Sequence, residues 1–275
     1  MDLTPQPRQD LTPQPPLPRG EGEPEERHRA QRGEGEPEER HRAPRGEGEP
    51  EENTAAVIVA TGSGPEDDDL LWAPVAGKPL LAWTVAAFED APNVGEIALV
   101  VARERLDDAR LLWLAEEWRR VSVIAAGGAN HLESASIGVE AISGAARWFV
   151  IHDGARPLVT TATITAGIAA ARRFGAASAC QPVIETIKRA RDGVVIETLD
   201  RASLVQLETP RVFDRETLLA IYELAGDETE TRDEATVAVA AGLRVATFPG
   251  GAENIKVRTA EDLALVEAIL LARST

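Results

Sequence analysis

Hydrophobic positions beyond residue 53 fall into short apolar runs separated by stretches with helical spacing. Ala55–Ala60, Glu96–Ala102, Val121–Ala125, Trp148–Asp153 and Ala177–Val183 read as buried strands. Between them lie four segments of helical period: Pro79–Phe88, Leu106–Trp118, Ser134–Ile142 and Thr161–Phe174. In the first of these, Leu80, Trp83, Ala87 and Phe88 fall on one side. Strands alternating with helices predict an α/β fold: a mostly parallel sheet, helices on both faces, right-handed crossovers.

After residue 183 the alternation breaks. Ile187–Ala190 and Val194–Leu199 flank Arg191-Asp-Gly193, and Asp-Gly between β-type runs is a hairpin signal. This hairpin is expected to project as a β-arm over about residues 184–208. Asp214–Leu224 then reads as a helix capped by Asp214, and Asp233–Ala241 as a helix stopped by Gly242. Leu243–Phe248 reads as a strand. Thr259 is the expected N-cap of a last helix, with Asp262 at its third position.

Residues 1–53 are a different polymer. They repeat Arg-Gly-Glu-Gly-Glu-Pro-Glu-Glu three times, from Arg19, Arg32 and Arg45, and hold almost no large apolar side chains. Such a segment cannot bury a core and is expected to stay a disordered tail. It lacks the apolar stretch of a signal peptide and is too acidic for a transit peptide. One folded domain is therefore expected over 54–275.

Charge and cysteine usage narrow the function. The net charge is −17, of which the tail carries −6 by residue count. No basic stripe appears, which argues against polymeric nucleic acid as a partner. Cys180 is the sole cysteine, so no disulfide framework or thiolate metal cluster is expected. No apolar run reaches the length of a membrane span. These features together predict a soluble cytoplasmic protein.

The candidate chemistry centres on Trp148-Phe-Val-Ile-His-Asp-Gly-Ala-Arg-Pro157. Open parallel sheets bind ligands beyond the carboxyl ends of their strands. An acid there, Asp153, can hold a divalent cation through hard carboxylate oxygens. Arg156, three residues on, can face a phosphate with its planar fork. Thr61-Gly-Ser-Gly64 forms a second turn, after the first strand, where glycines let backbone N–H groups approach a phosphate.

Several short segments now agree in order and spacing. They include Ala-Ala-Val-Ile-Val-Ala-Thr-Gly-Ser-Gly (55–64), Ala-Gly-Lys-Pro-Leu-Leu (76–81) and Gly127-Gly128 with Ser134. His-Asp-Gly-Ala-Arg-Pro (152–157), Glu-Thr-Ile-Lys-Arg (185–189), Asp-Arg (200–201) and Glu-Thr-Pro (208–210) follow. Asp-Glu-Ala (233–235), Asn-Ile-Lys-Val (254–257) and Glu-Asp-Leu-Ala-Leu (261–265) complete the set. Together they resemble the 2-C-methyl-D-erythritol 4-phosphate cytidylyltransferase family over roughly 54–272.

The resemblance implies a Rossmann-like nucleotidyltransferase core and a homodimer built through the projecting arm. It implies CTP and a small polyol phosphate as ligands and Mg²⁺, or another divalent cation, held at Asp153. Ala60, Gly62, Ser63, Gly64, Gly128 and Ser134 match the nucleotide-binding positions. Arg156, Thr186 and Thr209 match substrate-binding positions, with Thr186 reaching the partner subunit's site. Arg201 and Lys256 match the residues that hold the acceptor phosphate for attack.

The chain also departs from that pattern. The family's Gly-rich loop continues with an arginine and later a lysine that grip the triphosphate. Here Pro65 or Glu66 stands at the arginine and Leu70 at the lysine, with four acids over Glu66–Asp69. His131 replaces an arginine, Glu185 an aspartate, Arg211 a glutamine, and Gly154 an alanine. On sequence alone three readings stay open: a cytidylyltransferase, a catalytically impaired binding or dimer-partner protein, and a nucleotidyltransferase for another polyol phosphate.

Overall fold

The computed structural model describes residues 53–62, 65–142, 144, 146–225 and 233–273, and only the backbone of 65–68. Residues 1–52 of the expected tail, and Ser63 and Gly64 of the expected nucleotide loop, lie outside the described residues.

Strand β1, Thr54–Ala60, is buried at all seven positions. Ala56, Ile58 and Ala60 enter one apolar cluster and Ala55, Val57 and Val59 the other. Both faces of this strand are thus covered, which is why it reads as a continuous apolar run. Helix α1, Pro65–Trp72, follows where only a loop was expected. A proline at the first helical position costs no hydrogen bond, and at the other end Leu71 is buried, with Leu70 and Trp72 packed on the core. Two short strands, β2 (Pro74–Val75) and β3 (Lys78–Pro79), pair around Ala76 and Gly77, both at positive φ.

Helix α2 spans Leu80–Glu89, strand β4 Glu96–Val101, helix α3 Leu106–Ala115 and strand β5 Val121–Ala126. Helix α4 spans His131–Ala141, three residues earlier than its apolar period suggested, because Asn130 caps it by accepting the Glu133 N–H. Its Gly138 lets the helix sit close on the sheet, since a Cβ there would lie 2.4 Å from Val57 Cγ1. Strand β6 is Trp148–Asp153, helix α5 Thr161–Phe174 and strand β7 Ala176–Pro182.

The hairpin forms as expected. Strands β8 (Lys188–Arg191) and β9 (Val194–Thr198) make their own antiparallel ladder, with Asp192 and Gly193 at positive φ. That geometry is the turn an Asp-Gly pair favours. The arm ends sooner than expected, because Val205–Leu207 pair with Pro182–Cys180 in the main sheet. They open β10, Val205–Asp214, a central antiparallel strand that lacks the apolar signature of the others. Its pairing shifts register between Leu207 and Arg211, around the cis Thr209–Pro210 bond. An irregularity of this kind is where a sheet tolerates proline.

Helix α6 is Arg215–Ala225, with Asp214 accepting the Thr217 N–H, and helix α7 is Glu234–Ala240, capped by Asp233. Strand β11 is Ala246–Pro249, shorter than the expected 243–248. Helix α8, Ala260–Arg273, opens with a reciprocal capping box between Thr259 and Asp262.

The main sheet runs β11-β7-β10-β6-β1-β4-β5, parallel throughout except for β10. Apolar side chains of α2, α3, α5 and α8 cover one face, and those of α4, α6 and α7 the other. The chain first adds β4 and β5 beside β1 and then crosses to β6 on its other side. A ligand crevice belongs at such a switch, beyond the carboxyl ends of β1 and β6. Among the described residues no helix is long and apolar enough to cross a membrane.

Candidate active site

Strand pairing sets the geometry of the crevice. Val59 is in register with Asp153, so the end of β1 and the end of β6 lie side by side. Gly154 turns close beneath Ala60: a Cβ there would come 2.7 Å from Ala60 Cβ. The replacement of alanine by glycine at 154 therefore suits the tight approach of these strand ends.

Asp153 joins the other candidates on its side. Its N–H donates to Thr209 Oγ1 at 3.1 Å, and its Oδ1 accepts the Ala155 N–H at 3.0 Å. Lys256 Nζ lies 2.5 Å from Oδ2. Burial opposes ionisation of Asp153, but the Lys256 ammonium and the Ala155 N–H outweigh it and hold the carboxyl below its usual range. Lys256 is positioned by its own loop, where the Val257 N–H donates to Ala155 O.

Arg156 is buried and engaged with protein partners. It donates to Asn254 O at 2.6 Å and lies 3.6 Å from Glu208 Oε1, while its Nε has no partner. Asn254 Nδ2 donates to Glu208 Oε2 and Thr209 O, and Gln181 Nε2 to Glu208 Oε1. This buried network ties the start of β10 to the Asn-Ile-Lys loop and fixes the backbone beside Lys256. A cleft of about 270 Å³ opens above it, lined in part by Arg156, Gln181, Gln206, Lys256 and Arg258. Glu208 and Asp262 also line the cleft, so its three cations outnumber its acids by one, a balance that suits a phosphorylated ligand.

Nucleotide-side candidates gather around the Gly127-Gly128 turn. Ser134 is fully buried: its Oγ donates to Asn130 O at 2.8 Å and accepts the Gly128 N–H at 3.1 Å. Ser134 thus shapes the turn from within. A Cβ on Gly127 would lie 2.2 Å from Thr61 Cγ2, so this turn abuts the loop after β1. Gly62 there is exposed, with φ +66°.

Arg201 and Thr186 stand apart, exposed near the base of the arm. Arg201 Nη1 donates to Ile184 O at 2.6 Å. No hydrogen bond or ion pair among the described residues joins either to Asp153. Helix α1 carries none of the missing positive charge: Asp69 is exposed and pairs with Arg105 at 2.6 Å, and Leu70 packs on the core.

A family model described as 2-C-methyl-D-erythritol 4-phosphate cytidylyltransferase matches residues 54–272. A protein of that name from Dehalococcoides mccartyi strain CBDB1 is 37% identical over 78% of this chain and 95% of its own length. The chain belongs to this cytidylyltransferase family. A Cereibacter sphaeroides protein of the same name is 37% identical over 79% of this chain and 96% of its own. The crystal structure of the Thermus thermophilus cytidylyltransferase superposes with a TM-score of 0.65 at 28% identity, covering 79% of this chain and 98% of that one.

Sequence reasoning missed several residues that this family member uses to build its crevice. Glu208 and Asn254 lay within recognised motifs, yet only the fold shows them buried against Arg156. His131 and Arg211 were visible as departures from the family pattern but not as neighbours. The structure places both against Glu234, at 3.4 and 2.9 Å.

Proposed function

We propose that this chain transfers the cytidylyl group of CTP to the phosphate of 2-C-methyl-D-erythritol 4-phosphate, as a cytoplasmic step of isoprenoid precursor synthesis. An oxygen of the acceptor phosphate attacks the α-phosphorus of CTP. The bond from that phosphorus to the pyrophosphate oxygen breaks, and pyrophosphate leaves. The observation that carries this reading is Lys256, which pairs with Asp153 at the end of β6 and lines the neighbouring polar cleft, in a chain whose family membership spans residues 54–272.

Such a reaction asks the protein for positioning and charge neutralisation more than for covalent chemistry. Lys256, Arg258 and Arg156 offer cations on the acceptor side. On the nucleotide side Gly62 offers a backbone N–H group, while the Gly127 and Gly128 N–H groups are held by Val101 O and Ser134 Oγ, so that turn contributes shape rather than donors. Asp153 is the residue that would hold Mg²⁺. Among the described residues no cluster of three potential metal-ligating side chains occurs. Hard carboxylate oxygens suit Mg²⁺, and Asp153 Oδ2, here paired with Lys256, is the atom that would meet it. When bound, the cation neutralises charge on the triphosphate.

Arg201 and Thr186 complete the site of a second copy in this reading, and the protein is a homodimer through its arm. The exposure of Ile184, Val194, Val195 and Ile196 supports an apolar contact there.

One observation favours impaired turnover instead: Asp69 and Leu70 supply no cation where the family grips the triphosphate. Glu66→Arg, which leaves the Leu70 packing alone, is expected to raise kcat/KM about tenfold by restoring charge stabilisation. Steady-state rates for the variant check this, and an unchanged rate would mean that α1 does not face the phosphates. The function itself is tested by supplying CTP, the methylerythritol phosphate and Mg²⁺ and following pyrophosphate release. Release that requires the acceptor is the expected result. No release from folded protein would favour the impaired reading.

A further inference from the structure

Glu234, the first residue of α7, is fully buried. Its Oε2 accepts Arg211 Nη1–H at 2.9 Å, and its Oε1 faces His131 Nε2 at 3.4 Å as an ion pair, with neither of these two atoms making a hydrogen bond. Arg211 also donates to Asp233 Oδ2 at 2.9 Å. The two cationic partners are both positions where this chain departs from its family's pattern. Both side chains face one buried carboxylate.

The partners come from the two halves of the crevice. His131 opens α4 directly after Asn130, whose carbonyl holds Ser134 Oγ, which in turn holds the Gly128 N–H. Arg211 stands two residues beyond Thr209, whose hydroxyl holds the Asp153 N–H. Glu234 thus lies between the nucleotide-side turn and the strand that supports Asp153. A buried ion pair is weak evidence for stability, because desolvation cancels most of the attraction, and its best-attested use is to fix an arrangement.

Burial resists ionisation of Glu234, yet His131 and Arg211 outweigh it and bring its pKa down to about 2. Burial likewise resists charge on His131, and Glu234 overrides that and raises it above its usual value. Arg211 opposes that charge and Asp153 favours it. Across the cluster, the Tyr222 hydroxyl of α6 is buried without a hydrogen-bond partner.

We propose that Glu234 is a positioning residue that, through His131, holds the Gly127–His131 turn in its nucleotide-binding shape, and that Arg211 neutralises it there. The proposal rests on the reading of this crevice as a CTP site. Glu234 touches no reacting atom in it, so its loss changes nucleotide affinity more than the chemical step.

A double-mutant cycle on KM for CTP tests this. His131→Gln and Glu234→Gln are each expected to raise that KM about tenfold, with kcat and the acceptor KM within about twofold. Because both act on one turn, the double variant is expected to match the single ones. His131→Arg, which restores a cation opposite Glu234, is expected to recover most of the loss. If Glu234→Gln fails to fold, His131→Gln and His131→Arg still decide the matter, since His131 is the more exposed end of the pair. Equal changes in kcat and both KM values, additive effects, or no rescue by arginine would overturn the proposal. Wild-type turnover is measured first: no product at all sinks the proposed reaction and this inference together. Wild-type turnover with an unchanged CTP KM in His131→Gln sinks only the inference.

Discussion

Lys256→Met is expected to lower kcat/KM for cytidylyl transfer by about a thousandfold without unfolding the protein, the scale of losing one preorganised charge-stabilising group. The expectation follows from where the ammonium sits. It lies 2.5 Å from Asp153 Oδ2, at the carboxyl end of β6, with part of its side chain still open to the cleft. The usual loop cations have no counterpart in Asp69 or Leu70, so more of the charge neutralisation falls to this residue. Methionine keeps the length and apolar stem of lysine, so packing is largely conserved. The surrounding network of Arg156, Asn254 and Glu208 does not use the ammonium. Steady-state kinetics with a thermal melt on the same sample check the expectation. A loss below about tenfold would remove Lys256 from the charge-stabilising role that this scale of effect requires.

The second large effect concerns acid stability. His152 is fully buried between sheet and helix, with its ring 5.0 Å from that of Phe88. In the neutral tautomer with Nε2 protonated, it donates to Arg156 O at 3.3 Å, while Nδ1 has no partner. Burial pushes its pKa down from 6.5 to about 3. The unfolded chain therefore takes up a proton below pH 6.5 that the folded chain refuses until about pH 3. Stability must fall as the pH drops through this window, by roughly 1.4 kcal/mol per unit once fully developed.

The upper part of the window isolates this residue. Glu234 has a folded pKa of about 2 against 4.5 unfolded, so its contribution is present above 4.5 and lost as the pH falls toward 2. His131, with its pKa raised above 6.5, keeps its full contribution below that value and loses it only as the pH rises. Between pH 6.5 and 4.5 the wild type is thus expected to lose about 2 kcal/mol that His152→Asn does not lose. Urea titrations of both proteins at pH 6.5, 5.5 and 4.5 measure the difference. Parallel losses would show that the buried imidazole is not the acid-labile group.

The elements that could be read from the sequence are those whose environment is uniform. Strands β1 and β6 are buried on both faces, so apolar runs marked them and placed Asp153 at a strand end. The Asp-Gly turn of the arm was legible because its backbone requirement is local. Strand β10 was not: Glu208, Thr209, Pro210 and Arg211 look like a loop, and their burial depends on Gln181, Asn254 and Glu234 from distant segments. Helix α1 was hidden for a related reason, since its acidic run outweighed the Leu70-Leu71-Trp72 end that packs on the core. In the crevice, residue type at a strand end marked Asp153, the family resemblance marked Thr209 and Lys256, and the fold brought the three together. Arg156 turned inward to Asn254, a direction that no residue type reveals. Glu234 read as an ordinary acid in a helix's first turn, because only tertiary structure supplies Arg211 and His131 as partners.

The most direct measurement uses the acceptor phosphate labelled with ¹⁸O, incubated with CTP and Mg²⁺, and resolves the products by phosphorus NMR and mass spectrometry. Attack by that phosphate on the α-phosphorus places the label in the bridge of a CDP-linked product and leaves the released pyrophosphate unlabelled. That is the result expected here. Labelled pyrophosphate, or CTP left intact by folded protein, would contradict cytidylyl transfer at the Asp153–Lys256 crevice.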